Sequence, residues 1–252
     1  MLLYERIHMR LPHSHGERFH YDTMRSIMNE MLYVGMILVD FAAIAFLSRF
    51  GKEWIFGLMA ANMILISTFG GKLVDVFGFM TNAGNIFYAA VFLCVFALLD
   101  RYGHEAAHRG IWIGFAPLVA FVILAQLAVA LISAPETRAL DAAIHTVFAI
   151  SPRILLASVF AYFISLYMLT AVFDTARSWR APLFAAVFAA TLVAQAADSI
   201  LFFTIAFLDT VPLRALIEII LTGYAVKVAA GIIAIPFLYI NRLYSTREQT
   251  EE

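Results

Sequence analysis

Four polar side chains interrupt an apolar run near the C-terminal third of the sequence. Thr191, Gln195 and Asp198 are spaced at i, i+4 and i+7, which places them on one face of a helix, and Ser199 adjoins that face. An amide offers both a donor and an acceptor, which matches the polar edge of a nucleobase-like ring. A carboxylate can accept from ring N–H groups, so the pattern indicates a site for a small polar heterocycle.

The next apolar run carries the chemistry that could complete such a site. Tyr224 and Lys227 are spaced at i and i+3 and share a helix face. Lys227 could neutralise Asp198 inside a bundle, or both could face a wet cavity; a pair that only holds two helices together is the structural alternative. Tyr224 and Tyr162, with Tyr167, could stack on a flat ring.

A third charged residue, Asp40, lies in an otherwise apolar segment near the N-terminus. A charged side chain at the centre of a bilayer costs about 2.5–3.5 kcal/mol on insertion scales, so such residues usually have a use. The sequence does not identify a partner for Asp40, and both a functional and a structural role stay open. The single cysteine, Cys94, excludes an intramolecular disulfide.

The segment His104-Glu105-Ala106-Ala107-His108 matches H-E-x-x-H, a pattern that binds zinc when it lies on a helix. It stands in a short charged connection between Gly103 and Gly110, and no clear third ligand accompanies it. We therefore predict a solvated loop here, with no metal site and no catalytic residues, and keep a zinc-dependent membrane hydrolase as the weakest alternative.

The composition indicates where these residues lie. Of 252 residues, 63% are hydrophobic and 14% are charged, whereas a soluble domain keeps about 25% of its residues charged. The apolar residues form long runs, as expected for segments that face lipid or fill a bundle. The net charge of −1 gives no basic face for nucleic acid.

A helix needs about 20 mostly apolar residues to cross a bilayer. Candidate spans are 32–48, 55–70, 84–99, 111–132, 154–173, 182–207 and 217–240. The first two are the shortest, and one of them could lie at the interface. The prediction is therefore an all-α, polytopic transmembrane bundle of six or seven helices, with a short amphipathic helix over 137–150.

The chain divides into a polar N-terminal tail (1–30), a transmembrane helical domain (31–243) and a polar C-terminal tail (244–252). If all seven segments span, eight basic residues lie on each side; without the tail, the count is eight against four. The second count favours a cytoplasmic C-terminus. If only six span, the N-terminal tail would be cytoplasmic as well.

Several separated blocks, in order, resemble the queuosine precursor transporter family, formerly described as vitamin uptake transporters. The blocks are Leu65-Ile66-Ser67-Thr68 with Gly71-Lys72 and Ala83-Gly84, Asp100-Arg101-Tyr102-Gly103 with Ile111-Trp112-Ile113-Gly114-Phe115, Ser151-Pro152-Arg153-Ile154 with Ala157-Ser158 and Ala161-Tyr162, Gln195-Ala196-Ala197-Asp198-Ser199, and Tyr224-Ala225-Val226-Lys227 with Pro236. The chain departs from the family where polar positions are occupied by Ala89, Phe96, Leu166, Leu169, Gly223 and Gly231, which marks it as a divergent member.

The resemblance implies a multi-pass protein of a prokaryotic inner membrane that imports a 7-deazapurine precursor of queuosine without a cofactor. It implies that Gln195 and Asp198 read the ring edge, that Lys227 pairs with Asp198 when the site is empty, and that Arg153 lies at a mouth. Ser199, Tyr224 and Tyr162 complete the predicted set. The alternative is a substrate-binding subunit of an ATP-driven uptake system, since the chain lacks a phosphate-binding loop of its own. A homodimer or an ATPase as partner is left open.

Overall fold

The computed structural model describes residues 15–148 and 152–248, which form a helical bundle. Residues 1–14, 149–151 and 249–252, including parts of both predicted tails, lie outside the described residues. The helices are α1 (His15–Leu47), α2 (Lys52–Phe69), α3 (Gly84–Val129), α4 (Arg138–Phe148), α5 (Pro152–Ser178), α6 (Leu183–Phe207) and α7 (Leu213–Glu248), with 3₁₀ turns at Ser48–Phe50 and Pro135–Thr137. Within the described residues, five helices are long and apolar enough to cross a membrane: α1, α3, α5, α6 and α7.

Helix α3 provides two crossings. At 46 residues and 1.5 Å per residue it would be about 69 Å long if straight, more than twice the hydrocarbon core. It bends at Gly103, whose φ of 81° is a conformation that glycine adopts without strain. A Cβ on Gly110 would lie 2.6 Å from Leu98 Cδ1, so the arms 84–102 and 104–129 fold against each other.

The prediction of a solvated loop between these two crossings is wrong. His104, Glu105 and His108 belong to the first turns of the second arm, and the reversal takes a single residue, Gly103. Because glycine has no Cβ, this single residue can adopt the backbone angles that reverse the chain. A connection of several residues is therefore unnecessary.

Contacts at the helix ends establish how the segments alternate. At one end, the Arg242 guanidinium of α7 binds the Asp100 carboxylate of the first α3 arm through two hydrogen bonds of 2.5 and 2.6 Å. Arg101 also binds Asn241 Oδ1 there, at 3.0 Å. At the opposite end, Arg153 of α5 binds the last turn of α6. In the described part of the chain, with both arms of α3 counted and the short α4 left out, seven helical segments alternate in direction. The start of α1 and the end of α7 therefore lie at opposite ends.

A β-hairpin that the sequence did not predict connects α2 to α3. Strands β1 (Leu73–Val76) and β2 (Phe79–Asn82) pair antiparallel. The two residues of the turn, Phe77 and Gly78, both have positive φ (53° and 76°), as in the turns whose twist matches paired strands. Glu30 of α1 accepts a hydrogen bond from the Phe77 amide at 3.2 Å, so the hairpin lies against the middle of α1, near the start of its apolar span at Ile27.

The first arm of α3 lies at the centre of the bundle. Every residue from 84 to 99 is buried, because α1 and α2 pack on one side while α5 and α7 pack on others. Exposed large apolar residues lie on the outer faces of α1, the second α3 arm, α5 and α7, as expected for surfaces in contact with lipid. The predicted amphipathic helix is confirmed as α4, whose end is tied to α3 by Gln126 Nε2 donating to Phe148 O at 2.6 Å.

Candidate functional site

A stripe of buried polar groups runs along one face of α6. Thr191, Gln195, Asp198 and Ser199 are each at most 3% exposed. Thr191 Oγ1, both amide atoms of Gln195 and Ser199 Oγ have no hydrogen-bond partner among the described residues. A buried polar group without a partner costs about 1–3 kcal/mol, so a row of four such atoms indicates a place where a ligand or water completes the bonding.

The Asp198 carboxylate is held from two other helices. Lys227 Nζ of α7 donates to Oδ2, and the Tyr88 hydroxyl of the first α3 arm donates to Oδ1 at 2.5 Å. The Ser165 hydroxyl of α5 lies 2.9 Å from that of Tyr88. Lys227 Nζ also lies 5.0 Å from the centroid of the Tyr88 ring, within the range of a cation–π interaction. The cluster joins α3, α5, α6 and α7 and is neutral overall.

Two glycines allow α7 to approach α6 closely enough for the ion pair. Gly223, Lys227 and Gly231 are spaced four residues apart and share a helix face. A Cβ on Gly223 would lie 2.6 Å from Phe203 Cε2, and one on Gly231 would lie 2.5 Å from Thr191 Cγ2. Small residues permit this close backbone approach between membrane helices. These positions, where the family resemblance expects polar groups, form the contact on either side of the Asp198–Lys227 pair.

At other positions where the chain departs from the family, the side chains pack against neighbouring residues. Leu166 and Leu169 of α5 are fully buried, and the Phe96 ring lies 5.7 Å from that of Phe173. The polar groups of the site are therefore concentrated on α6, with Tyr88 and Lys227 facing them.

The structure does not bring the side chains of the remaining predicted site residues to the Asp198 carboxylate. Tyr162 is buried on α5, and its hydroxyl donates to Ile111 O at 2.7 Å, which ties α5 to the second α3 arm. Tyr224 is half-buried, one turn before Lys227. Arg153 is exposed and donates to Ile205 O at 2.6 Å and Leu208 O at 2.5 Å. It thus satisfies carbonyls that the end of α6 leaves without helical partners.

Sequence reasoning missed Tyr88 and Ser165. Both are hydroxyl-bearing residues in largely apolar runs, which is a weak signal that many packed side chains share. Helical spacing relates residues within one segment and does not say which faces of separate helices meet. A contact between residue 88 and residue 198 therefore emerges only from the tertiary structure.

The H-E-x-x-H segment lies at the bundle end, where its histidines bind α5. His104 Nδ1 lies 2.5 Å from Asp174 Oδ2, and His108 Nε2 lies 3.4 Å from Thr170 Oγ1. Within residues 15–148 and 152–248, no group of three or more His, Cys, Asp or Glu residues could hold a metal ion. The geometry gives this segment a role in joining the second α3 arm to α5.

Comparisons with known proteins point in one direction. Residues 82–241, which include the cluster, match the sequence model of a family described as putative vitamin uptake transporter. A Bacillus subtilis (strain 168) protein described as a probable queuosine precursor transporter is 27% identical over 223 residues, covering 84% of this chain and 94% of its own length. No solved structure matches this chain.

Proposed function

This chain belongs to the putative vitamin uptake transporter family, and we propose that it imports a small polar heterocycle, a 7-deazapurine precursor of queuosine. The observation that carries the proposal is the row of buried polar atoms on α6 that have no partner in the described part of the chain. The substrate class comes from the Bacillus subtilis relative, which is described as a probable queuosine precursor transporter.

The chemistry of the stripe fits the edge of such a ring. The amide nitrogen and oxygen of Gln195 both lack partners among the described residues, so the group offers N–H donors and an acceptor to a ring edge that presents both kinds of atom. Asp198 lies between Gln195 and Ser199 in the sequence of α6, and its carboxylate accepts hydrogen bonds from ring N–H groups. A ligand that donates to Asp198 competes with Lys227 and Tyr88 for the carboxylate oxygens, so binding and the α6–α7 contact are linked.

The ends of the bundle indicate the direction of the protein in the membrane. Near the end that holds Asp100 and Arg242 lie eight basic residues: Arg49, Lys52, Arg101, Arg109, Arg177, Arg180, Arg242 and Arg247. The hairpin end has four in its connections, Lys72, Arg138, Arg153 and Arg214, when the four arginines of the N-terminal tail are left out of the count. Cytoplasmic connections carry the excess of Lys and Arg, so we place the end of α7 in the cytoplasm. Arg153 then lies on the outer side, where it is positioned to flank a mouth.

The alternatives receive less support. An ATP-driven system would need a partner with a phosphate-binding loop, because this sequence contains none. We propose that the chain transports without such a partner, which uptake by proteoliposomes containing the purified chain would test. We assign no catalytic role to His104, Glu105 and His108, since two of these three side chains bind α5.

The decisive experiment compares Asp198→Asn with Glu218→Gln, a matched acid-to-amide change at a side chain that is 65% exposed. Thermal stability of the purified protein is measured with a panel of purines, 7-deazapurines and vitamins. A ligand that binds the folded state raises the apparent stability by RT ln(1 + [L]/Kd). We expect stabilisation by 7-deazapurines in the parent protein and in Glu218→Gln, and none in Asp198→Asn.

Two results would count against the proposal. Equal stabilisation of Asp198→Asn and the parent protein would remove Asp198 from the site. Stabilisation of the parent protein by another heterocycle, with no effect of any 7-deazapurine, would keep the site and overturn the substrate. Loss of uptake in Asp198→Ala, with insertion and folding intact, provides the corresponding transport test.

A further inference from the structure

A second carboxylate within a membrane span, the half-buried Asp40, lies outside the proposed substrate site. Asp40 stands in the middle of the span Ile27–Phe50 on α1, and its Oδ1 accepts a 3.2 Å hydrogen bond from Asn62 Nδ2 of α2. Asn62 is 2% exposed, and its second amide hydrogen is directed to Leu58 O at 3.1 Å. Both donors of the amide are therefore in use.

The other two oxygen atoms of the Asp40–Asn62 pair lack hydrogen-bond donors in the described part of the chain. Asp40 Oδ2 and Asn62 Oδ1 are buried, and neither has a hydrogen-bond partner among the described residues. Both are acceptors when Asp40 is ionised, so they cannot bond to each other. One proton on Oδ2 changes this, because the new O–H can donate to Asn62 Oδ1 and close a ring of two hydrogen bonds between the acid and the amide.

The surroundings favour that neutral form. In residues 15–148 and 152–248, no Lys, Arg or His nitrogen lies within 4.0 Å of the Asp40 carboxylate. The titratable group that faces it from α3 is the buried Cys94 thiol, and α2 contributes the uncharged Asn62. The adjoining groove is lined mainly by apolar side chains, among them Val39, Leu65 and Phe87. A carboxylate ion without a cationic partner is expensive in such a place.

We propose that Asp40 is a proton-binding site that couples proton movement to transport. The step is an association: a proton leaves water, binds Asp40 Oδ2 and forms an O–H bond, and the same bond breaks when the proton is released on the other side. A hard metal cation fits less well, since such ions take about six or more oxygen ligands and only two oxygens of the pair lack partners.

The first arm of α3 connects this pair to the substrate site. Phe87 lines the groove that contains Asp40, and the next residue, Tyr88, donates to Asp198. The arm is buried along its length, so a shift of α1 and α2 on protonation of Asp40 is transmitted to the hydroxyl that holds Asp198. This coupling rests on the proposed transport function, whereas the protonation of Asp40 does not.

The first experiment requires no substrate. Infrared difference spectra of reconstituted protein, recorded in H₂O and D₂O across a pH titration, report the C=O band of protonated carboxyl groups. We expect a deuterium-sensitive band that titrates in the parent protein and in Glu218→Gln and is absent in Asp40→Asn. An unchanged band in Asp40→Asn would overturn the proton site. This variant is expected to fold, because its amide can donate to Asn62 Oδ1 as the protonated acid does.

The second experiment tests coupling in proteoliposomes with the membrane potential clamped and a labelled 7-deazapurine outside. One proton per substrate allows about tenfold accumulation per unit of inside-alkaline pH difference. We expect accumulation that follows the pH gradient in the parent protein, and equilibration without accumulation in Asp40→Asn. Gradient-driven accumulation in Asp40→Asn, or accumulation driven by sodium alone in the parent protein, would overturn the coupling. If the parent protein takes up no 7-deazapurine, the proposed cargo fails, while the infrared result still decides whether Asp40 holds a proton.

Discussion

Asp198 and Asp40 both lie within membrane spans, but they have different partners. Asp198 is bound by a lysine and a tyrosine from two helices, whereas Asp40 is bound by one uncharged amide. An ion pair fixes the charge of both members and ties their helices together. In an acid–amide pair, the acid can gain or lose a proton and still accept a hydrogen bond from the amide. We therefore propose that an aspartate serves recognition at position 198 and proton binding at position 40.

The largest expected effect is a difference in the free energy of unfolding between variants of the two carboxylates. Asp198→Asn leaves Lys227 buried without its charge partner, and breaking a buried pair in this way costs about 3–5 kcal/mol. Asp40→Asn can keep the hydrogen bond that Asn62 Nδ2 donates and should be nearly neutral. Thermal denaturation of both variants in the same detergent measures the difference. Adding Lys227→Gln to Asp198→Asn should restore part of the loss, and equal shifts for the two single variants would contradict the comparison.

A smaller effect is expected at the hydroxyl that reaches Asp198. Tyr88→Phe removes a hydrogen bond to a charged group, worth about 1.5–3 kcal/mol, and keeps the ring beside Lys227. Affinity for the ligand and the apparent stability should both fall. Tyr162→Phe is the matched control, since its hydroxyl binds a backbone carbonyl instead. Ligand affinity that falls more in Tyr162→Phe than in Tyr88→Phe would place the site nearer to the second α3 arm.

Glycines in the two regions offer a third contrast. Gly231→Ala places a methyl group against Thr191 Cγ2, and overpacking of this kind costs about 1–3 kcal/mol. Gly35→Ala on α1, beside Asp40, meets nothing within 4 Å and should be neutral or mildly stabilising, because alanine is the better helix former. Melting temperatures and uptake report both. Thr191→Ser, which removes Cγ2, should rescue Gly231→Ala, and a failure to rescue would point to another contact.

The smallest effect is expected at Arg153. Its exposed guanidinium binds the last carbonyls of α6, and a cation at a helix C-terminus contributes about 0.3–1 kcal/mol. Arg153→Ala should lower the melting temperature slightly. Arg214→Ala, at the same end of the bundle and 92% exposed, is the control. Uptake that falls in Arg153→Ala alone, beyond its loss of stability, would support the mouth that the family resemblance implies.

Much of the bundle could be predicted because lipid imposes length and apolarity on every crossing. The predicted runs at 84–99, 111–132 and 182–207 coincide with parts of α3 and with α6 to within three residues at their ends. The segment after Gly103 was wrongly predicted to be a loop. A cluster of charged residues has the composition of a loop even where it forms a helix, so composition alone does not separate the two. The hairpin at Leu73–Asn82 was missed because each strand has only four residues, too few for an alternating pattern to stand out.

The sequence by itself determined which residues share a helix face, because 3.6 residues per turn relate Thr191, Gln195 and Asp198 without reference to anything else. It also determined that Asp40, Asp198 and Lys227 lie within apolar spans. Only the tertiary structure decided that Tyr88 reaches Asp198 and that Asn62 faces Asp40, because these contacts depend on helix rotation and on close approach at glycines. Periodicity fixes the face of one helix, whereas packing decides which faces meet.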